Sequence, residues 1–175
     1  MKISRLRFNL YLCVALAVFV GCQTEKLKRK HQPSTLRVHI QVHPDGTNMS
    51  EPVPIFRERP VMVNVDKIAA LTEANLAEAK VVDAVGGFAI RLQFDRRGTW
   101  LLEQRSVESR GQRFAIFCQF GPDLKESRWL AAPIVARRIT DGVLVFTPDA
   151  TRAEAEEIVL GLNNIARVVK KKTKW

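Results

Sequence analysis

The chain has few of the side chains from which catalytic and metal sites are usually built: its 175 residues include three histidines and three cysteines. His39 and His43 fall on one face of a predicted strand but are four residues apart, about 13 Å at the rise of a strand. Two ligands of one zinc ion each lie about 2 Å from the metal, so this pair cannot bind the same ion. We therefore interpret the two histidines as polar surface and predict no metal site and no cofactor.

Sequence patterns of catalysis are equally scarce. No G-x-S-x-G nucleophile elbow occurs, although spacing alone leaves a Ser-His-acid triad open. Glu154, Glu156 and Glu157 fall in the first turns of a predicted helix, where negative charge complements the helix dipole. Asp95-Arg96-Arg97 and Arg137-Arg138 are the charged groups most worth following on the folded body, and solvated surface accounts for both. We predict no catalytic residue.

Long apolar runs are also scarce. One, at the N terminus, extends over 13 residues from Phe8 to Val20 and includes Asn9 as its strongly polar member. A helix that spans a bilayer needs about 20 apolar residues, whereas the core of an export signal needs about 7–15. Three basic residues and no acidic residue precede the run, as in export signals. The pattern therefore predicts a segment that is cut off rather than one that spans the membrane.

The run ends at Phe19-Val20-Gly21-Cys22, which resembles the lipobox of bacterial lipoproteins. In that motif the cysteine thiol is acylated and the chain is cut just before it. Phe19 departs from the usual leucine at the first lipobox position. We predict that residues 1–21 are a lipoprotein signal peptide, that Cys22 is the lipid attachment site, and that the protein is exported and anchored on the extracytoplasmic side of a bacterial membrane. A plain secretory signal and an uncleaved anchor are the alternatives.

Of the other two cysteines, Cys13 would leave with the signal peptide, so Cys118 would remain alone and could form no intramolecular disulfide. Cys118 lies in the alternating segment RFAIFCQF, which places it on one face with three phenylalanine and isoleucine side chains. A lone cysteine in such surroundings is usually a small core residue rather than a nucleophile. We therefore assign Cys118 to the core.

The charge of the chain is concentrated at its ends. The formal net charge is +10, but residues 31–166 contain 16 Lys and Arg against 17 Asp and Glu, so the body is nearly neutral. Nucleic-acid binding needs a basic stripe on a structured face and is not indicated. Residues 22–34 form a basic tether and residues 170–175 a basic tail. Near an anionic lipid surface each Lys or Arg can add about 1 kcal/mol of attraction; a solvated spacer is the alternative.

Between these ends we predict a single domain over residues 35–169. Alternation in TLRVHIQVH directs Leu36, Val38, Ile40 and Val42 to one side and Arg37, His39, Gln41 and His43 to the other. Short strands are also predicted in VPIFR, VMVNV, RFAIFCQF, RWLAAPIVARRI and VLVFT, with one helical turn in LTEANLAEA.

The second half has stronger local signals. Gly86-Gly87 separates the strands AKVVDAV and FAIRLQF and indicates a hairpin, because glycines accept the positive φ of tight turns. A helix is predicted from Asp95 to Arg110, with Asp95 as its cap and an apolar stripe that includes Trp100, Leu101, Leu102 and Val107. Thr151 and Glu154 form a capping box before a last helix with its apolar face at Ala155, Ile158, Val159, Leu162, Ile165 and Ala166.

Strands that follow one another without intervening helices favour antiparallel pairing. The fold class we predict is therefore α+β, a mainly antiparallel sheet with two helices packed on one face. This is a two-layer sandwich of general ferredoxin-like character.

The segment from GQRFAIF to TPDATRAEAEEIVLGL carries a family resemblance, together with the hairpin and helix before it. It resembles the head of the first large periplasmic domain of SecD, a bacterial protein-export subunit of the SecD/SecDF family, over residues 77–169. A longer loop, QFGPDLKESR, replaces the family's tight Leu-Asp-Gly turn, and the six membrane helices of SecD are missing. The matching positions are Gly111, Arg113, Phe114-Ala115-Ile116, Ala132-Pro133, Ile139, Gly142, Phe146-Thr147 and the helix from Glu154 to Leu162. The resemblance implies the fold and contact with exported polypeptides or translocon components.

Three functions follow as hypotheses. The first is a non-catalytic, lipid-anchored module that contacts unfolded exported or envelope polypeptides, for which an exposed sheet edge in VPIFRERPVMV is a candidate; its prolines would equally block strand pairing. The second is a structural envelope lipoprotein without an export role, and the third is an enzyme. The oligomeric state is not indicated.

Overall fold

The computed structural model describes residues 32–172, except Asp45 and Thr47. In this part of the chain the strands β1 to β9 are Thr35–Ile40, Ser50–Ile55, Val61–Asp66, Leu71–Thr72, Leu76–Ala84, Gly87–Phe94, Phe114–Phe120, Glu126–Ala131 and Val143–Phe146. The helices are α1, Arg96–Glu108, after β6, and α2, Arg152–Lys172, after β9. Short 3-10 turns cover Glu73–Asn75 and Pro122–Leu124. Neither of these two helices combines the length and the apolar composition needed to cross a membrane.

The predicted α+β class with antiparallel pairing is confirmed. The strands divide into three sheets, in the orders β4-β1-β7-β8, β2-β3 and β5-β6-β9, and every pair is antiparallel. The hairpin predicted at Gly86-Gly87 is β5–β6, and both glycines have positive φ. α2 extends to Lys172 and so includes the first residues of the basic tail.

The main core lies between the four-stranded sheet, the three-stranded sheet and the two helices. Alternation in β1 and β7 points Leu36, Val38, Ile116 and Cys118 into it, and all four are buried. The predicted apolar face of α2 is confirmed at Ala155, Ile158, Leu162 and Ala166, which are buried; Val159 and Ile165 are partly exposed.

The apolar stripe predicted for α1 is wrong at two positions. Leu102 is buried, but the side chains of Trp100 and Val107 are 57% and 55% exposed. α1 packs instead through Gly98, Leu102 and Ser106, which are spaced one helical turn apart. A Cβ on Gly98 would lie 2.8 Å from the carbonyl oxygen of Asn75, so the absence of a side chain allows the close approach.

The interpretation of His39 as exposed polar covering is wrong, because a second layer covers the outer face of the four-stranded sheet. The β2–β3 hairpin packs its inner side chains there against Ala115, Ala132 and Trp129, and leaves His39 only 7% exposed. His39 Nδ1 donates to the carbonyl oxygen of Asp66 at 2.7 Å, and its ring lies edge-on to Trp129, with centroids 5.3 Å apart. His39 is thus a satisfied core histidine; His43 is exposed, as predicted.

Both predicted helix caps are formed. Gly98 N donates to Asp95 Oδ1 at 2.7 Å. At α2, Thr151 N donates to Glu154 Oε2 at 2.7 Å and Glu154 N donates to Thr151 Oγ1 at 3.2 Å. These reciprocal bonds satisfy backbone donors that have no partner inside a helix.

Candidate functional site

Little of the described surface has the make-up of a reactive site. Burial, together with the charge of Glu73, raises the pKa of Cys118 to about 12, so its thiol stays protonated and inert. Among the residues that the structure describes, no three His, Cys, Asp or Glu side chains are grouped as they would be around a metal ion. His31 and the predicted lipid attachment site Cys22 lie outside the described residues.

Two of the charged residues singled out in the sequence, Asp95 and Arg138, have local structural partners. Asp95, Arg96 and Arg97 border a shallow surface depression beside Trp100, and the Asp95 carboxylate caps α1. Arg138 forms a salt bridge with Glu103. The Asp95 cap and the Arg138–Glu103 pair stabilise α1 locally.

The β2–β3 hairpin carries the most distinctive exposed surface of the described chain. Pro54 lies directly opposite Met62 on its outer face, and Met62 is 61% exposed. Val61 and Phe56, at the tip, are 49% and 43% exposed. Single exposed apolar residues are common, but four of them within one hairpin make it a candidate interaction surface. We call Pro54, Phe56, Val61 and Met62 the hairpin surface.

The free edge of this hairpin is poorly suited to strand addition. Val42 N donates to Asn64 O at 2.9 Å, on the side of β3 away from β2. The facing pair Pro52–Asn64 is therefore a non-hydrogen-bonded pair, and the backbone of Pro52 and Pro54 is directed to the open edge of β2. Proline has no N–H, so these two positions offer no donor to an incoming strand. For Pro54, which lies in the segment VPIFRERPVMV, blocking of the edge is the one of the two predicted roles that the geometry supports.

The tip of the hairpin is held in a strained conformation. Phe56 has φ +71° although it is not glycine; such a backbone costs about 1–3 kcal/mol and persists only where its surroundings impose it. The next residue supplies the restraint, because Arg57 N donates to Asp149 Oδ2 at 2.9 Å and Arg57 Nε to the same carboxylate at 3.3 Å. The strained backbone leaves Phe56 43% exposed, so burial of its ring repays the strain only in part.

Beside this restraint, an ionic cluster fixes the start of α2. Arg128 donates to Glu154 Oε1 from both terminal nitrogens at 3.1 Å and to the carbonyl oxygen of Asp149 at 3.3 Å. Burial raises the pKa of Glu154, but the Arg128 and Thr151 hydrogen bonds outweigh it and lower the pKa from 4.5 to about 2. The cluster connects β8, the segment before α2 and the hairpin tip.

The architecture and the matching residues identify the family. The model of the SecDF P1 head subdomain matches residues 30–166, so the chain belongs to the SecDF P1 head family. This range is wider than the resemblance over residues 77–169 and includes β1 and the β2–β3 hairpin.

Solved structures agree on the fold. One, reported as a membrane component SecDF that enhances protein export, is 22% identical with a TM-score of 0.56, over 81% of this chain and 67% of that chain. A second, SecDF in a super-membrane-facing form, has the same identity and TM-score but is covered to only 20% of its length. The comparison with curated protein sequences gave no match.

The sequence indicated the hairpin only as a possible edge and did not indicate its apolar surface. The exposure of Met62 follows from strict alternation with the buried Val63 and Val65, which the sequence contains. The positive φ of Phe56 has no sequence signal, because it is imposed by Asp149, 93 residues later in the chain.

Proposed function

We propose that this SecDF head domain is a non-catalytic, lipid-anchored extracytoplasmic module that contacts exported or envelope polypeptides. The hairpin surface carries this proposal. Family membership supports a role beside the export machinery, and one solved relative is described as a component that enhances protein export. Translocon components are the second class of partner that the family indicates.

Contact through side chains is the mode that the hairpin favours. The outer face offers a methionine and a proline, the tip adds a valine and a partly exposed aromatic ring, and Pro52 and Pro54 remove donors from the edge. Methionine adapts its shape to different partners, and aromatic side chains provide large contact area. Such a surface would bind apolar segments of an unfolded chain with little demand on their sequence.

The proposed membrane topology of the protein follows the sequence prediction. Residues 1–21 would be removed, Cys22 would be acylated, residues 22–34 would be a tether, residues 35–169 would be the body and residues 170–175 a basic tail. Mass spectrometry of the purified protein tests this directly: we expect a mature chain that starts at acylated Cys22. A chain that still begins with Met1 would contradict the anchor.

Polypeptide contact is tested with the lipidated protein in nanodiscs and a fluorescein-labelled, permanently unfolded polypeptide. Phe56→Ser with Met62→Ser removes two apolar anchors, and we expect affinity to fall about thirtyfold, as for two interface residues worth about 1 kcal/mol each. The matched control is Val85→Ser, because Val85 is a fully exposed apolar residue on the β5–β6 turn. Loss of affinity in the control, or none in the double variant, would contradict the assignment.

If Cys22 is acylated but the unfolded polypeptide does not bind, the protein would be a structural envelope lipoprotein. In that case the wild-type protein would not change the anisotropy of the labelled polypeptide at any concentration.

A further inference from the structure

We propose that the C-terminal end of α2 is a membrane-facing surface that lies against anionic lipid; this rests on the proposed lipid anchor at Cys22. We call Arg167, Val168, Lys170 and Lys171 the basic end. All four are exposed.

Charge is segregated along α2. Its acidic residues, Glu154, Glu156 and Glu157, lie in the first two turns, and from Leu160 onward its charged residues are all Arg or Lys. Cations at a helix C terminus are favoured by the helix dipole, which accounts for one or two of them. The dipole does not account for Val168, which is 53% exposed among them. An apolar side chain flanked by cations is typical of surfaces that lie on a lipid interface.

The neighbouring acidic groups do not neutralise the basic end. Lys170 Nζ donates to the carbonyl oxygen of Ala77 at 3.0 Å, which brings α2 against β5. On that strand Glu78 is already paired with Lys80 at 3.0 Å. Glu73, in the turn before β5, accepts from the backbone N–H of Leu36 at 3.0 Å. The basic end therefore keeps its positive charge.

The chain leaves the domain toward its anchor beside the same end. Asn164 Nδ2 donates to the carbonyl oxygen of Gln32 at 3.1 Å. Two residues later the chain crosses α2 so closely that a Cβ on Gly161 would lie 2.2 Å from Ser34 Oγ. Arg167 and Val168 follow Asn164 by three and four residues, and residues at this spacing are neighbours on a helix. The tether therefore starts next to the basic end.

Chain length then limits how far the basic end can lie from lipid. Cys22 precedes Gln32 by ten residues, at most about 35 Å of extended chain. Attraction to a charged surface decays within a Debye length of about 8 Å. The basic end can therefore be attracted to lipid only if the tether allows it to approach the membrane closely, and a tether of this length does. The hairpin tip contacts Asp149 at the other end of α2, which is 21 residues or about 30 Å long. Lipid and polypeptide would thus be contacted at opposite ends of the helix.

The test uses the full chain, lipidated in cells and reconstituted into vesicles of phosphatidylcholine alone or with phosphatidylglycerol. Val168→Cys and Ala153→Cys receive a bimane label, and a nitroxide on the lipid headgroup quenches it. Both positions are exposed on α2, 15 residues or about 22 Å apart. Labelling of the lipidated protein is specific, because Cys13 is removed with the signal peptide, the Cys22 thiol is acylated and Cys118 is buried.

We expect quenching at position 168 to rise about twofold when phosphatidylglycerol is added, because the Arg and Lys side chains of the basic end are attracted to anionic headgroups. Quenching at position 153 should change little. Arg167→Gln with Lys171→Gln should abolish the rise, whereas the matched pair Arg96→Gln with Arg97→Gln, on exposed residues of α1, should leave it intact.

Equal quenching at position 168 in both kinds of vesicle would overturn the proposal, as would a rise at position 153 of the same size. Failure of the anchor is a separate result, seen as loss of flotation with phosphatidylcholine vesicles. In that case the protein without its anchor should still float with phosphatidylglycerol vesicles, and Arg167→Gln with Lys171→Gln should abolish this flotation. If the wild-type protein does not float with these vesicles, the proposal for the basic end is refuted.

Discussion

The side-chain amide of Asn163 pairs with both backbone groups of Ala79. Ala79 N donates to Asn163 Oδ1 and Asn163 Nδ2 donates to Ala79 O, each at 2.9 Å. The amide of a helix residue thus takes the place of one residue of a neighbouring strand at the outer edge of β5. Since unpaired edges invite association with other chains, this contact both joins α2 to the sheet and protects its edge.

Asn163→Ala should lower the free energy of unfolding by about 1–3 kcal/mol, because two part-buried backbone groups lose their partners. Urea unfolding followed by circular dichroism measures the change. Asn48→Ala, on an exposed turn residue, is the control and should stay within about 0.5 kcal/mol of the wild type. A neutral effect at Asn163 would show that the edge does not need its protection.

Gly161→Ala should destabilise the protein, which reverses the usual sign. In an exposed helix the same change stabilises by about 1 kcal/mol, but here the new Cβ would lie 2.2 Å from Ser34 Oγ and 2.7 Å from Ser34 N. We expect a loss of about 1–3 kcal/mol and faster proteolysis at residues 32–34. A gain in stability would mean that the N-terminal segment does not pack on α2 as described.

Glu154 should make the protein sensitive to acid. Its pKa is about 2 in the folded chain against an ordinary 4.5, so its stabilising contribution is complete above about pH 4.5 and is lost as the pH falls toward 2. Glu154→Gln should lower the free energy of unfolding at pH 7 by about 1–2 kcal/mol and flatten its decline between pH 5 and 2. The comparison is Glu58→Gln, which removes the same charge at the exposed hairpin tip and should leave the decline unchanged.

Phe56→Gly should separate stability from binding. Glycine accepts φ +71° without strain, so the free energy of unfolding should be unchanged or rise by up to about 1 kcal/mol. Binding of the unfolded polypeptide should weaken, because the exposed ring is lost. If the variant unfolds more easily and binds normally, Phe56 serves packing rather than contact.

Local signals explain what the sequence predicted well. The Gly86-Gly87 turn and the Thr151–Glu154 box depend on residues within four positions of each other, and the face of α2 repeats at helical spacing. The burial of His39 depends instead on a hairpin that follows it in the chain and covers one face of its strand. Alternation identifies two faces of a strand but not which of them meets water. The packing side of α1 was also hidden from the sequence. Gly98 faces β6 and the turn at Asn75 because it has no side chain, so this side of the helix carries no apolar residue at that position.

Contact between the hairpin surface and exported chains is the central claim, and photocrosslinking in cells tests it most directly. A photoreactive amino acid at position 62 of the lipidated protein should form adducts with pulse-labelled exported polypeptides, and the same residue at position 85 should form few. Absence of adducts at position 62, or equal yields at both positions, would contradict the claim.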